Sequence, residues 1–116
     1  MGFEAREVRP HSNPVAASEL QEGSVYFFLD YEDPELLVPE LQPVVFIGRD
    51  LRAGDVECAY FQDVASHRRG CRFPAEDGSG ATYFCGSLNE LGHVFNFEQA
   101  LDSLLACSLR REGRHA

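Results

Sequence analysis

The basic cluster near the middle of the chain is the first candidate for chemistry. It consists of His67, Arg68, Arg69, Cys71 and Arg72. Guanidinium groups donate paired hydrogen bonds to phosphates and carboxylates, so such a loop could grip an anion or another ligand. The neighbouring arginines could also activate the Cys71 thiol as a nucleophile. We adopt the plainer interpretation of a solvated loop that offsets acidic charge, because clustered charge on a loop is common.

A second candidate thiol is Cys85, which lies close in sequence to His93. Cys85 ends an apolar strand-like run, so we expect it to be buried and inert. Structural zinc sites normally contain two pairs of ligands, each separated by about two to four residues. The chain offers one near-pair of this kind, His67 with Cys71. We therefore predict no metal, no cofactor and no catalytic residue.

An acidic stretch surrounds the most aromatic part of the chain. Residues 19–40 carry seven acidic side chains and no basic one, and an apolar run occupies residues 25–29. Such a rim of carboxylates could bind a basic protein, with aromatic side chains as anchors. The candidate partner-binding residues are Tyr26, Phe28, Tyr31, Glu32, Asp33 and Glu35. The same pattern is also typical of the solvated edge of an acidic domain.

Charge argues against several classes of function. The net charge is -9; residues 1–62 hold twelve acids and four arginines, and residues 63–116 hold seven acids and six arginines. Affinity for nucleic acids and anionic membranes depends largely on basic side chains, so we expect neither as a partner. All ten basic residues are arginine, which excludes chemistry that needs a lysine, such as Schiff-base formation.

Length and cysteine usage indicate the class of protein. A chain of 116 residues fits one domain, and we predict a flexible N-terminal segment over residues 1–12 and a single domain over residues 13–113. The four cysteines form no C-x-x-C motif, and no stretch is apolar enough to cross a bilayer. The start of the sequence lacks the pattern of a signal peptide. We therefore expect a cytoplasmic protein with reduced thiols.

The first third of the chain predicts one strand between two short helical segments. Residues 15–21 could form a short helix, and residues 24–31 are typical of a strand because they are rich in aromatic side chains. Residues 36–38 could form a helical turn. Pro39 and Pro43 are expected to bracket a rigid connector, because proline breaks regular hydrogen bonding.

The middle of the chain predicts two hairpins. Residues 44–49 have the strongest strand signal, and residues 56–62 follow after a loop with turn chemistry. Residues 71–73 are expected to pair with residues 81–85 across a glycine-rich tip. These connections are too short for parallel crossovers, so we expect antiparallel pairing.

The last element is an amphipathic helix. Asn96 is expected to cap a helix over residues 97–111, with Gln99 reaching back to the cap and Gly113 ending the helix. Its predicted apolar face consists of Phe97, Leu101, Leu104, Leu105 and Ser108. Strands followed by one such helix indicate an α+β fold. We predict an antiparallel sheet of four to five strands with the C-terminal helix packed on one face.

Three functions are compatible with these observations. The first is a small non-catalytic protein–protein interaction module that binds a basic partner through the acidic stretch. The alternative is a small enzyme or ligand-binding protein that uses the loop of residues 67–72. A third hypothesis is a homodimer joined through an exposed strand or aromatic face.

Overall fold

A five-stranded antiparallel sheet forms the frame of the protein. The computed structural model describes residues 13–74 and 80–115. The strands are Val25–Tyr31 (β1), Pro39–Arg49 (β2), Cys58–Asp63 (β3), Tyr83–Ser87 (β4) and Val94–Phe95 (β5). Their order across the sheet is β4-β3-β2-β1-β5, and each neighbouring pair is antiparallel. The first four strands therefore form a meander, and β5 lies at the far edge beside β1.

Two α-helices accompany the sheet, Val64–Arg68 (α1) and Phe97–His115 (α2). α2 packs over β1 and β5, and the contact is a cluster of Leu29, Phe95 and Ala100 with Phe27 and Leu104 against it. The predicted α+β fold with a C-terminal helix on one face of the sheet is thus confirmed. No helix within the described residues is long and apolar enough to span a membrane.

Side chains along β1 alternate between the two faces of the sheet. Phe27 and Leu29 point towards α2, and we call this side the helix face. Tyr26 and Phe28 point the other way, towards the larger part of the core, and we call that side the far face. Both faces of β1 are therefore covered at least in part, which explains why the strand is so rich in aromatic residues.

The far face is covered by the segment before β1 and by the loop between β4 and β5. Its buried cluster consists of Val15, Leu20, Tyr26, Val44, Phe46, Ala59, Phe61, Leu91 and Val94. The hydroxyl of Tyr26 accepts a hydrogen bond from the amide of Gln21 (2.8 Å) and donates one to the carbonyl of Glu19 (3.3 Å). These bonds hold the N-terminal segment onto the sheet.

The predicted helix over residues 15–21 is wrong in extent, because only a 3-10 turn forms at Ala17–Glu19. The backbone on either side of this turn bonds to the sheet instead. The amide of Val15 donates to the carbonyl of Val94, and the amide of Gly23 donates to the carbonyl of Phe46, each at 2.8 Å. The amide of Gln21, which an α-helix would direct to the carbonyl of Ala17, donates to the Tyr26 hydroxyl instead. The predicted flexible segment, residues 1–12, lies outside the described residues.

The connector predicted around Pro39 and Pro43 is wrong, because both prolines lie inside β2. They pair with β1 opposite Tyr31 and Phe27. The third strand pairs with β2 only from Val44 onward. The first part of β2 is therefore an edge strand, where a proline without an amide hydrogen is tolerated.

The first predicted hairpin is confirmed as β2 and β3, whereas the second is wrong. Residues 71–73 lie outside any strand, and β4 pairs with β3. The ring of Phe73 instead packs against Tyr60 and Tyr83, with ring centroids 5.2 Å apart in both pairs. Most of the predicted glycine-rich tip, at residues 76–79, lies outside the described residues.

The predicted cap of α2 is confirmed in detail. The side-chain oxygen of Asn96 accepts from the amide of Gln99 (2.8 Å), and the side-chain oxygen of Gln99 accepts from the amide of Asn96 (3.0 Å). The predicted end at Gly113 is wrong, because that glycine keeps a helical backbone and the helix continues to His115.

The buried face of α2 also differs from the predicted one. Phe97 is 65% exposed and Leu101 is exposed, whereas the buried positions are Ala100, Ser103, Ala106 and Cys107. Ala100 packs against the sheet, and the Cys107 thiol lies against the carbonyls of Leu36 and Leu37. Of the predicted large apolar residues, Leu104 packs against the sheet, whereas Phe97 and Leu101 lie outside the contact.

Asp63 joins three elements at the end of β3. Its carboxylate caps α1 by accepting from the amide of Ser66 (2.9 Å), and it also accepts from the Ser66 hydroxyl. A third bond comes from the amide of Thr82, just before β4 (2.8 Å). The hydrogen bonds from Ser66 and Thr82 lower the pKa of Asp63 to about 2.

We expect the variant D63N to be less stable than the wild type at neutral pH. A carboxylate with a lowered pKa contributes stability above its ordinary pKa, here 3.8, and loses it as the pH falls through about 2. The difference in unfolding free energy between the two proteins should therefore shrink as the pH is lowered over this range. Urea unfolding followed by circular dichroism measures it, and a difference that stays constant with pH would contradict the prediction.

We expect N96A to lower the free energy of unfolding by about 1 kcal/mol, the typical effect of removing a helix N-cap. The cause is the loss of the bond that satisfies the amide of Gln99. Urea unfolding at pH 7 provides the measurement. The matched control is S108A at an exposed position of the same helix, where a change within about 0.5 kcal/mol is expected.

Candidate functional site

A cleft of about 570 Å³ opens on the far face of the sheet. This volume lies within the range of sites that bind small ligands or side chains, roughly 300–1,000 Å³. The cleft is lined by Phe28, Asp30, Glu40, Leu41, Gln42, Phe61, Phe84, Cys85, Gly86, Glu90, Leu91, His93 and Val94. It therefore combines an aromatic floor with three carboxylates, and no residue of α2 contributes to it.

Phe28 lies at the centre of the aromatic floor. Its ring centroid is 5.1 Å from that of Phe61, 5.3 Å from that of Phe84 and 4.9 Å from that of His93. The two phenylalanine partners are nearly perpendicular to it, at 76° and 87°. Phe28 and Phe84 are only partly buried. Their ring faces carry negative potential, which attracts a cation.

Two of the carboxylates are direct neighbours across the sheet. Asp30 of β1 pairs with Glu40 of β2 in the antiparallel register, which places the two β-carbons about 5 Å apart. Both side chains are exposed at this point. Like charges in such a position destabilise a sheet. The third carboxylate, Glu90, comes from the loop between β4 and β5.

A fourth carboxylate reinforces this concentration of negative charge. The side chain of Glu32 forms a hydrogen bond with Glu40, and this bond raises the pKa of Glu40. Repulsion from Glu32, loss of hydration next to the sheet and repulsion from Asp30 raise the pKa of Glu40 further. The neighbouring carboxylates therefore make the ionised form of Glu40 less favourable than that of an isolated glutamate.

The residues predicted to bind a partner fall into different environments. Phe28 lies in the cleft, Glu32 lies beside it through its bond to Glu40, and Glu35 is exposed between β1 and β2. Tyr26 is only 5% exposed and belongs to the core, so its ring is not part of the surface.

The other two predicted residues, Tyr31 and Asp33, make contacts within the chain. The guanidinium of Arg110 lies over the ring of Tyr31, 5.4 Å from its centroid. Asp33 accepts hydrogen bonds from the amides of Leu37 (3.0 Å) and Val38 (2.8 Å). These contacts stabilise the turn between β1 and β2.

The same turn is held by the C-terminal half of α2. Leu36 has a positive φ of 62°, and its carbonyl accepts from Nε and Nη2 of Arg110 at 3.0 and 2.9 Å. Arg111 donates to the carbonyl of Leu37 at 3.4 Å. The end of the helix thereby fixes the end of the β1–β2 ribbon.

The basic loop does not reach the cleft. None of the lining residues is His67, Arg68, Arg69, Cys71 or Arg72. The guanidinium of Arg72 donates to the carbonyls of His67 (3.0 Å) and Cys71 (2.8 Å). An anion-binding role for this loop stays a prediction.

The predicted burial of Cys85 is wrong, because this residue is exposed. It lies on the edge strand β4, opposite Tyr60 of β3. Strand alternation directs its side chain away from the face that carries Phe84. The thiol therefore does not point towards the aromatic floor next to His93.

Asp50, Asp55 and Cys58 bring one ligand atom each to within 4.8 Å of one another. These groups are occupied by hydrogen bonds. Asp50 accepts from the amide of Cys58 (2.9 Å), and Asp55 accepts from the amide of Arg52 (3.0 Å) and from the hydroxyl of Tyr60. The bond with Asp55 raises the pKa of Tyr60 to about 12. We assign this group a structural role in the loop between β2 and β3.

We expect E40Q to raise the urea concentration at the midpoint of unfolding at pH 7, because it removes the repulsion from Glu32 and Asp30. A carboxyl with a raised pKa lowers stability as the pH rises through that pKa. The gain should therefore disappear below the ordinary value of 4.5, where the wild-type carboxyl is neutral too.

Urea titrations at pH 7 and pH 4 make this comparison. The control E19Q removes an exposed charge outside the cleft, and a smaller shift is expected for it. A lower midpoint for E40Q at pH 7 would show that Glu40 stabilises the fold, contrary to the prediction.

Sequence reasoning left Asp30, Glu40, Glu90 and His93 out of the candidate site. Asp30 could have been predicted from the sequence. It follows Phe28 by two residues in a strand, so the two side chains lie on the same face of the sheet. The other three depend on the register of β2 and on the path of the loop before β5.

Comparisons with protein-family models, with curated proteins and with solved structures found no significant match to this chain.

Proposed function

We propose that this chain is a non-catalytic interaction module that binds a basic segment of a partner protein in the cleft. The observation that supports the proposal is the position of Asp30 and Glu40 beside an aromatic floor centred on Phe28. A basic side chain would interact with the carboxylates and the ring faces at the same time. Such a cation also relieves the repulsion between the carboxylates, so the free energy of binding includes that relief.

The distribution of charge supports the same proposal. Asp30 and Glu40 lie within the first 62 residues, which carry twelve acids and four arginines. A potential of one sign attracts a partner of the opposite sign and raises the rate of association. The acidic surface also continues beyond the cleft through Glu32 and Glu35, which are exposed. A protein segment would contact this surface over a greater length than a small molecule would.

The alternative of a small enzyme or ligand-binding protein at residues 67–72 has less support. The side chains of this loop do not line the cleft, and Arg72 is engaged with backbone carbonyls. We also propose a cytoplasmic location, for which the support is that the four cysteines form no disulfide. A homodimer stays a prediction, which light scattering over a dilution series tests.

We expect the full chain to bind a fluorescein-labelled peptide that carries arginine and lysine residues in a background of glycine, serine and leucine. The triple variant D30N/E40Q/E90Q should bind it about tenfold more weakly, because it removes the three carboxylates that line the cleft. Fluorescence anisotropy at physiological ionic strength measures the dissociation constants. Circular dichroism confirms that the variant is folded.

The matched control is E19Q/E22Q/E112Q, which changes the net charge equally at exposed residues outside the cleft. It should lose less than about threefold in affinity, since distant exposed charges are screened by salt. Equal losses in both triple variants would mean that the peptide responds only to overall charge. That result would rule out the cleft as the binding site.

A further inference from the structure

We infer that the cleft selects a guanidinium group, so that the partner presents an arginine rather than a lysine. This inference rests on the proposed function and specifies the chemistry of the bound side chain. Three features carry it: the cross-strand pairing of two carboxylates, the arrangement of the aromatic rings and the apolar wall of the cleft.

The first feature is the pair formed by Asp30 and Glu40. Their direct cross-strand register places two carboxylates side by side at the edge of the cleft. A guanidinium has five N–H donors in a planar fork, so it can bond to both carboxylates at once. An ammonium group is a compact charge with three donors, and its strong hydration competes with such bonds. The pair therefore favours arginine.

The second feature is the aromatic floor. Phe28 and Phe84 meet at 87° with centroids 5.3 Å apart, so two partly exposed rings form a corner. A planar guanidinium can stack flat on one ring and direct its N–H groups towards the carboxylates. An ammonium group has no plane to stack and gains only from the attraction of the ring quadrupole.

The third feature is the apolar wall of the cleft, to which Leu91 and Val94 contribute. A cation that enters must leave part of its water behind. Guanidinium is more weakly hydrated than ammonium, so its transfer costs less free energy. The three methylene groups of arginine can also pack against the wall.

Contacts inside the chain follow the same chemistry. The guanidinium of Arg52 lies over the ring of Phe73 at 5.3 Å from its centroid, and that of Arg110 lies over Tyr31 at 5.4 Å. Arg110 also bonds to a carbonyl oxygen while it covers the ring. One guanidinium thus combines a ring contact with hydrogen bonds to oxygen, which is the combination that we infer for the cleft.

The test uses three labelled peptides that differ at one central residue, which is arginine, lysine or citrulline. Citrulline has the shape of arginine without its charge. With the full chain, we expect the arginine peptide to bind about tenfold more tightly than the lysine peptide and the citrulline peptide to bind most weakly. The variant D30N should bring the ratio of arginine to lysine affinity towards one, whereas the control E22Q should keep it.

Two results would separate failure of this inference from failure of the proposed function. Equal affinity for the arginine and lysine peptides, with both lost in D30N/E40Q/E90Q, would overturn the selection for arginine and support the basic-partner proposal. Binding of all three peptides that the triple variant leaves unchanged would overturn both. An arginine preference that E22Q removes as strongly as D30N would also overturn the assignment to this cleft.

Discussion

The antiparallel register between β1 and β2 is the constraint on which the rest of the structure depends. It runs without interruption from Val25 opposite Val45 to Tyr31 opposite Pro39. This register places Asp30 opposite Glu40 and brings Phe28 to the face that carries the core. Side chains in a strand alternate strictly, so a slip by one residue would put Asp30 and Glu40 on opposite faces and separate the carboxylate pair. The arrangement of the cleft and that of the hydrophobic core are therefore specified by the same pairing.

The parts of the fold that follow from local patterns could be predicted from the sequence. The strand at residues 24–31 and the helix capped by Asn96 both have signals that lie within a few residues of one another. The predictions that were wrong concern segments whose structure depends on contacts between residues far apart in the chain. Pro39 and Pro43 were expected to interrupt regular secondary structure. They lie in a strand nonetheless, because β3 does not pair with that part of β2. The buried positions of α2 likewise carry small side chains. The spacing of the large apolar residues does not identify these positions.

The residues of the candidate site also divide into those that local sequence patterns indicate and those that distant contacts bring to the cleft. The acidic stretch directed attention to Phe28 and its surroundings, because charge and aromatic content are visible in the chain itself. Tyr26 and Tyr31 were equally plausible anchors in the sequence, but one is in the core and the other is covered by Arg110. Glu90 and Phe84 reach the cleft only through strand pairings and loop paths that join remote parts of the chain. Of the residues proposed from the sequence, Phe28 therefore lines the cleft, and most of the other lining residues were not among the candidates.

The end of α2 has a role beyond packing. The β1–β2 ribbon extends past β3, and a two-stranded ribbon alone is marginally stable. Arg110 and Arg111 fasten its turn to the helix through the carbonyls of Leu36 and Leu37. The separation of the carboxylates at the cleft is thus set partly by a helix that contributes no residue to it. We therefore expect a substitution at the helix terminus to change the affinity of the proposed site for its ligand, although the terminus does not touch that site.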